Sequence, residues 1–428
     1  MDFHQFVCSV NNYYNNVNVS TFIANRIAFN QQKSFSRFII RLAITATVIS
    51  VAVMIITLSF VNGFQETVSG KVFSFWGHIR LGYRQPMKAS IAEEEPIRAD
   101  TNIVRNIKKI PSVTAIHPFA TRNAILKTTD EMEGILLKGL DITYDSAHMQ
   151  RFMQPGSRWI HYNDSSYSRD IVISKYTATQ LKLKVNDRIL IYFIKPDGTL
   201  RPDKLTIAGI YKTGIEEYDK HFAIGDIQLI RQLNGWNIDQ IGGYEIFLDD
   251  YRKMDKASRQ IFENENLPAV WETNTIREIY PNIFDWLDIQ DVNQNILISI
   301  MTIIALINLI TCLIILVLER LRMVGVLKAL GATNWTVQKI FLNHSALITL
   351  IGIIIGTLLA LGLLWLQETT HFVKLPEEAY YMDTANVKIV WWQVIMVITG
   401  TLVVSFLVLL IPSLIVRRIQ PIRAIRFS

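Results

Sequence analysis

Four stretches of the chain carry no charged residue: 42–61, 292–318, 340–367 and 389–416, of 20, 27, 28 and 28 residues. Each meets the ~20 apolar residues a helix needs to cross ~30 Å of hydrocarbon. One such run could be a buried core helix; four predict four transmembrane helices. Between the first and second the pattern changes to short apolar runs bounded by turn residues. These predict strands at 113–119, 122–128, 134–140, 188–194, 204–211 and 244–248, with Pro196-Asp197-Gly198 turning the chain between two of them. Ser174 is placed to cap a helix over 175–183, and 250–265 reads as a solvated helix. A helix over 275–290 is expected to run on into the second span and join domain and membrane part rigidly. The expected fold is a membrane α-helical protein with a large α+β domain inserted between its first two spans.

Charge gives this pattern a sidedness. Residues 1–41, 319–339 and 417–428 hold twelve Lys and Arg against only Asp2 and Glu319. The 62–291 segment and the 368–388 loop are slightly acidic, so the net charge of +6 collects on one side of the membrane. By the positive-inside rule both termini and the 319–339 loop are cytoplasmic, and the 62–291 domain is exported. The basic balance therefore reports topology and not a nucleic-acid partner. At 50% hydrophobic residues and a mean hydropathy of +0.24, the composition agrees. The two cysteines, Cys8 and Cys312, fall in the tail and in a span, so the exported segment must hold together through its core. The expected organisation is a disordered tail over 1–21, an interfacial amphipathic helix over 22–41 (Phe22, Ile23, Ile27, Phe35), and a basic tail over 417–428.

The patterned loop is the first candidate site. In 319–341, Met323, Val326, Leu327 and Leu330 recur at helical spacing, with Arg320, Arg322 and Lys328 away from that stripe. Gly331 stops the helix, and Thr333 or Asn334 can cap the next. So short a helix is marginal in water, and burying four such side chains is worth about 1.5–3 kcal/mol each. Either a partner covers them or the turn rests on lipid headgroups. In the third span, Gly352 and Gly356 form a small-xxx-small face suited to close helix packing. His344, near the start of that span, reads as a packing residue and not a proton carrier. No span has an ionisable group near its centre, as an ion-coupled carrier would need. There is no phosphate-binding G-x-x-x-x-G-K-[ST], no H-E-x-x-H, and no metal-ligand spacing among eight histidines. Catalysis, metal and cofactor are therefore not expected on this chain.

Several stretches resemble the FtsX/MacB-type permeases of ABC transporters. They are FVNGFQ (60–65) with FSFWGHI (73–79), DIVISKYTATQLKLKVNDRI (170–189), IAGIYKTGIEEYD (207–219), RMVGVLKALGAT (322–333), AYYMDTANVKIVWWQ (379–393) and the RRIQPIRAIR tail. The 379–393 and WGHI regions are similar to the lipoprotein-releasing (LolC/LolE) branch. The resemblance implies a MacB-like periplasmic core domain on a bacterial inner-membrane protein. It implies a non-catalytic subunit, with ATP and Mg bound by a separate cytoplasmic ABC ATPase dimer and with a second permease subunit, identical or different. Its cargo would be a lipoprotein, lifted from the inner membrane toward a periplasmic carrier. The coupling helix toward the ATPase would be Arg322, Met323, Val324, Gly325, Val326, Leu327, Lys328, Ala329, Leu330, Gly331, Ala332 and Thr333. Met323 stands where many relatives carry an acidic residue, which leaves a charge contact there absent or replaced. Asn62, Gly63 and Phe64 would form the junction from first span to periplasmic domain. Met54, Leu58, Ile300 and Met301 are placed by position to line an acyl-chain cavity, or else to face lipid. The alternatives are an FtsX-like signal relay to a cell-wall hydrolase and a MacB-like small-molecule or peptide exporter.

Overall fold

The computed structural model describes residues 34–84, 94–163, 166–194, 199–263 and 267–413. The 1–21 tail, residues 22–33 of the expected interfacial helix, the Pro196-Asp197-Gly198 turn, the 417–428 tail and the Arg322 side chain lie outside the described residues. The chain divides into two compact units. One comprises the residues up to Phe64, Ile289–Val373 and those from Ala385 on; the other is Gln65–Asp288 with Lys374–Thr384. The domain is therefore not the single 62–291 insertion expected, because part of the 368–388 loop belongs to it.

The first unit is helical. Among the described residues three helical spans are long and apolar enough to cross a membrane, Ile40–Trp76 within the helix Ser34–Trp76, Pro281–Glu319 and Asn334–Thr370, and a further apolar helix is Trp391–Ser413. The first helix outruns its uncharged segment at both ends. Residues 34–41 are its opening turns rather than a separate interfacial helix, and it continues through polar residues to Trp76, whose side chain is buried. The expected helix over 275–290 is instead two. Thr275 and Glu278 form a reciprocal capping box on Ile276–Ile279, and the long helix starts afresh at Pro281. Proline has no N–H to continue a helix from its N-terminal side but fits a first turn, which sets the break at Tyr280. Around the first helix, Val51, Ala52, Ile55 and Leu58 pack with Ile353, Ala360 and Leu364 of the third and Val394 and Val397 of the fourth.

The second unit is built on eleven strands: β1 (Ile79–Tyr83), β2 (Ile97–Arg98), β3 (Val113–Lys127), β4 (Met132–Leu140), β5 (Asp170–Ser174), β6 (Arg188–Ile194), β7 (Leu200–Tyr211), β8 (Phe222–Asp226), β9 (Gln240–Ile241), β10 (Gly243–Leu248) and β11 (Trp271–Thr275). Nine form one sheet in the order β11-β1-β10-β3-β4-β8-β5-β7-β6, and β6 also pairs with β3, closing a ring of six strands. The two strands expected at 113–119 and 122–128 are one 15-residue strand that changes neighbour along its length. Its first half pairs with β10 and its last four residues with β6. A strand shared by an open wing and a closed ring leaves fewer free edges. β1, β2, β5, β8, β9 and β11 have no counterpart among the expected strands; β8 is buried along its whole length and so shows no alternation. The helix after Ser174 ends at Gln180, and the 250–265 helix resolves into a 3-10 turn at Tyr251–Lys253 and a helix over Met254–Phe262.

The last turns of the first long helix, from Gln65, belong to this unit, and the sheet caps their C-terminal end. Helix C-termini leave carbonyls unpaired and carry partial negative charge. Here the Lys138 ammonium donates to the Phe75 carbonyl, the Tyr144 hydroxyl donates to Ser74 O at 3.2 Å, and Arg151 donates to Gly70 O at 2.7 Å. Gly77, at φ +70°, turns the chain out of the helix. Lys138 also pairs with Glu245 at 2.7 Å, both fully buried, and sits 4.4 Å from the Trp76 ring centroid. Burial pushes the Lys138 amine down to about 8 and the Glu245 carboxyl upward. Beside them Arg80 lies over Trp76 and Phe119 and pairs with Glu94 at 2.7 Å.

His148 stacks on Phe247, and His117 and His78 meet the same ring edge-on. Burial holds all three below the ordinary 6.5, His78 at about 4. The stability tied to the His78 shift is complete above about pH 6.5 and falls as pH drops toward 4, because the unfolded chain takes up a proton that the fold excludes, and the other two act in the same direction.

Two outcomes follow. Lys138→Met, which leaves a buried carboxylate alone, lowers stability by about 3–5 kcal/mol, whereas Lys138→Met with Glu245→Leu recovers most of it. Denaturant unfolding of single and double variants measures this. His117, whose ring nitrogens have no hydrogen-bond partner among the described residues, is expected to give a more acid-resistant protein as His117→Leu. The unfolding midpoint compared at pH 7.5 and pH 5 decides.

Candidate functional site

The patterned loop folds as a helix, Leu321–Ala329, closed by a left-handed Gly331 at φ +91°. Ala332 N donates back to Leu327 O at 2.9 Å and Gly331 N to Lys328 O at 3.0 Å, a Schellman-like end that suits glycine. Thr333 caps the next helix, its hydroxyl accepting from Thr336 N at 3.2 Å. Of the two caps the spacing allowed, the chain uses this one.

The apolar stripe is split. Met323 and Leu327 turn inward and pack with Val324, which is wholly buried, against Leu309, Val317, Val337, Phe341 and Leu342. Val326 and Leu330 face out at 52% and 80% exposure, and Trp335 joins them at 53%. Periodicity locates an apolar arc but not where along that arc the bundle stops covering it. Gly325 is buried, Ala332 and Lys328 are half-buried, and Ala329 and Thr333 are exposed. Burial lowers the Lys328 amine, and Lys339 lies 5.5 Å from the centroid of the Trp335 ring. The loop thus presents an apolar patch with ammonium groups at its margin, on a helix pinned from behind.

The two span glycines lie where helices touch. A Cβ on Gly352 would fall 2.8 Å from Thr47 Cβ, and one on Gly356 2.8 Å from Val48 O and 3.1 Å from Val51 Cβ. His344 is buried in the same helix. The junction is equally close: a Cβ on Gly63 would lie 2.3 Å from Asn386 O, and Asn62 donates to the Gln393 side chain. Phe64 is buried. FVNGF and the 386–393 part of the 379–393 block, with Asn62 and Gln393 lying 331 residues apart, therefore meet within one unit, and neither motif alone signals the other.

The four residues placed by position at a cavity differ in their surroundings. Met54 and Leu58 are enclosed in the helix contact with Met301 packed against them, whereas Ile300 faces outward at 45% exposure. Consecutive helical residues point ~100° apart, so Ile300 and Met301 cannot share a face. Among the described residues no group of three His, Cys, Asp or Glu is placed to hold a metal.

Comparison with known proteins bears on this geometry. The family model described as MacB-like periplasmic core domain matches residues 42–261, half of the chain, and the one described as FtsX-like permease C-terminal matches 295–421. The chain belongs to the FtsX/MacB-type permease family. It is similar to the lipoprotein-releasing system transmembrane protein LolC of Neisseria meningitidis serogroup B, 22% identical over 93% of this chain and 96% of that protein. It is also similar to the LolE of Haemophilus influenzae, 23% identical over 95% and 98%. The crystal structure of the periplasmic region of MacB from Actinobacillus actinomycetemcomitans covers 48% of this chain and 91% of that chain at 10% identity, with a TM-score of 0.33. The chain is thus an ABC transporter permease, a multi-pass membrane protein with a MacB-like α+β periplasmic domain.

The packing predicts an ordered response to glycine substitution. Gly352→Val and Gly356→Val each lower the thermal midpoint of the detergent-solubilised permease, in line with the roughly 1–3 kcal/mol cost of overpacking. Gly362→Ala, in the same helix with nothing within 4 Å of an added Cβ, leaves it unchanged or raises it slightly.

Proposed function

We propose that this chain is the membrane subunit of a transporter that extracts lipoproteins from the inner membrane, driven by ATP hydrolysis on a separate ATPase. The observation that carries the reading is that Val326, Leu330 and, at the start of the next helix, Trp335 are exposed, while the helix Leu321–Ala329 is anchored from behind through Val324. An apolar surface on a rigid base is what a partner needs in order to push, and a few well-packed residues carry most of such an interface. In this reading Arg322–Thr333 couples to a cytoplasmic ABC ATPase dimer that binds ATP and Mg, both termini lie on that side, and this chain performs no catalysis itself. A second permease subunit completes the membrane part.

The cargo assignment rests on relatives named as parts of a lipoprotein-releasing system, which align along nearly the whole chain. Energetics support the need for ATP. Each methylene of a lipid anchor contributes about 0.8 kcal/mol to membrane retention, so lifting several acyl chains out is far uphill. A periplasmic carrier would receive the lipoprotein. The MacB-like domain equally suits export of a small molecule or peptide, and the FtsX-like part suits a signal relay.

Leu330→Asp inserts normally, because the side chain supports no packing within this chain, yet weakens ATPase association by roughly 30-fold, as the loss of a buried interface leucine worth about 2 kcal/mol would. Co-purification of ATPase with the variant at parental level would remove the docking surface. For the cargo, depletion of the permease is followed by membrane fractionation. Accumulation of outer-membrane lipoproteins in the inner membrane supports release; an unchanged distribution with drug or cell-wall phenotypes points to the exporter or the relay.

A further inference from the structure

Two of the stretches that carry the family resemblance, 207–219 and the first part of 379–393, have no task in ATPase docking or span packing. In the α+β unit the loop that carries the start of 379–393 is held to 207–219 through Glu377, just ahead of that block, on Lys212. Residues 374–384 form a closed loop: Lys374 bridges Thr384, and Leu375 N donates to Asp383 O at 3.0 Å. Within it are a short helix, Glu377–Tyr380, and a left-handed Tyr381 at φ +56°. Glu377 is ion-paired with Lys212, the Lys71 ammonium donates to Tyr381 O at 2.6 Å, and the Tyr381 ring stands edge-on to Trp286 at 5.5 Å.

The receiving surface is shaped for this loop. Gly214 sits at φ +76°, which disfavours any side chain, and a Cβ there would lie 2.5 Å from Glu377 Oε1 and 2.8 Å from Lys71 Nζ, pushing both side-chain ends aside. Asp219 holds the turn by accepting from Thr213 N at 3.0 Å, Thr213 Oγ1 at 2.8 Å and Gly214 N at 3.0 Å. So the K-T-G-x-x-x-x-D sequence over 212–219 supplies a cation, a gap and the carboxylate that fixes both. Burial lowers the Lys71 amine, while Glu377, Asp219 and Asp383 oppose the shift, so the ammonium sits among three carboxylates.

The chain passes between the two units at 64/65, 288/289, 373/374 and 384/385. The first two crossings lie within long helices and hold by their own backbone hydrogen bonds. The last two connect only through a loop, and a loop transmits displacement only while both its ends and its middle are held.

We propose that residues 374–384 are a strap fastened to the α+β unit by Glu377 on Lys212 and by the Tyr381 carbonyl on Lys71. We further propose that ATP-driven work reaches the periplasmic domain partly through this fastening. The second statement rests on the release reading above; the first does not. Lys71, Lys212 and Glu377 are positioning residues, remote from any ATP.

A partly exposed ion pair contributes only about 0–1 kcal/mol to global stability, so breaking it is expected to free the strap without unfolding the domain. Three full-length proteins, the parent, Lys212→Glu and Lys212→Glu with Glu377→Lys, are compared in proteoliposomes with their ATPase. Amide exchange over 377–381 is expected to speed up about tenfold in the single variant and to return most of the way in the swap, with the thermal midpoint little changed. Release of a fluorescent acylated lipoprotein falls in the single variant and recovers in the swap, while ATP hydrolysis stays near parental rate. Unchanged exchange in Lys212→Glu overturns the fastening; faster exchange with undiminished release overturns the coupling. If the parent itself releases no lipoprotein, the coupling statement falls along with the release reading, and the exchange measurement still judges the strap.

Discussion

A helix that ends inside a protein leaves its last carbonyls needing donors, and here one buried lysine meets that need. Lys138 reaches from β4 to the Phe75 carbonyl and to Glu245 on β10, across the intervening β3. An ammonium with no exposure is tolerable only because its charge meets a carboxylate, a helix C-terminus and two aromatic faces together. The same contact fixes where Trp76 lies, and around Trp76 gather Arg80, Phe222 and Tyr280. The first long helix therefore finishes as part of the core of the α+β unit.

The family motifs acquire physical meaning in pairs. Asn62 and Gly63 are paired with Gln393 and Asn386, Lys212 and Gly214 with Glu377, and Gly352 and Gly356 with Thr47, Val48 and Val51. In each, one partner supplies a missing side chain or a small polar group and the other fills the space. Close backbone approach leaves almost no tolerance for volume, so both halves of a pair are constrained together. The 319–341 loop differs. Its inner side is packed through Val324, but Val326, Leu330 and Trp335 stay largely exposed among the described residues. A surface that the fold leaves uncovered while anchoring it from behind is suited to a partner.

Much of this was legible from residue order, though unevenly. Long uncharged runs read directly as apolar helices because length and hydropathy are local properties. Strands β4, β6, β7 and β10 were visible through local apolar runs. The joining of 113–119 and 122–128 into β3 was not, since it depends on β6 closing the ring. The Gly331 stop and the Thr333 cap were readable because capping is decided by a few adjacent residues. Leu330 was named but assigned to the same face as Leu327, and only packing separated them. Of the four suggested cavity residues, Met54 and Leu58 proved to be buried packing, a distinction that hydropathy does not make.

The sequence by itself determined that several helices are long and apolar enough to span a membrane, that an α+β domain follows the first of them, and the family. Each follows from composition and spacing over tens of residues. Only the tertiary structure decided that residues 374–384 belong to the α+β unit, that Lys138 caps the first helix, and which part of the 321–330 stripe stays exposed. The first two depend on residues 63 to 310 positions apart, and the third on packing against neighbouring helices, and neither leaves a periodic trace in the partners.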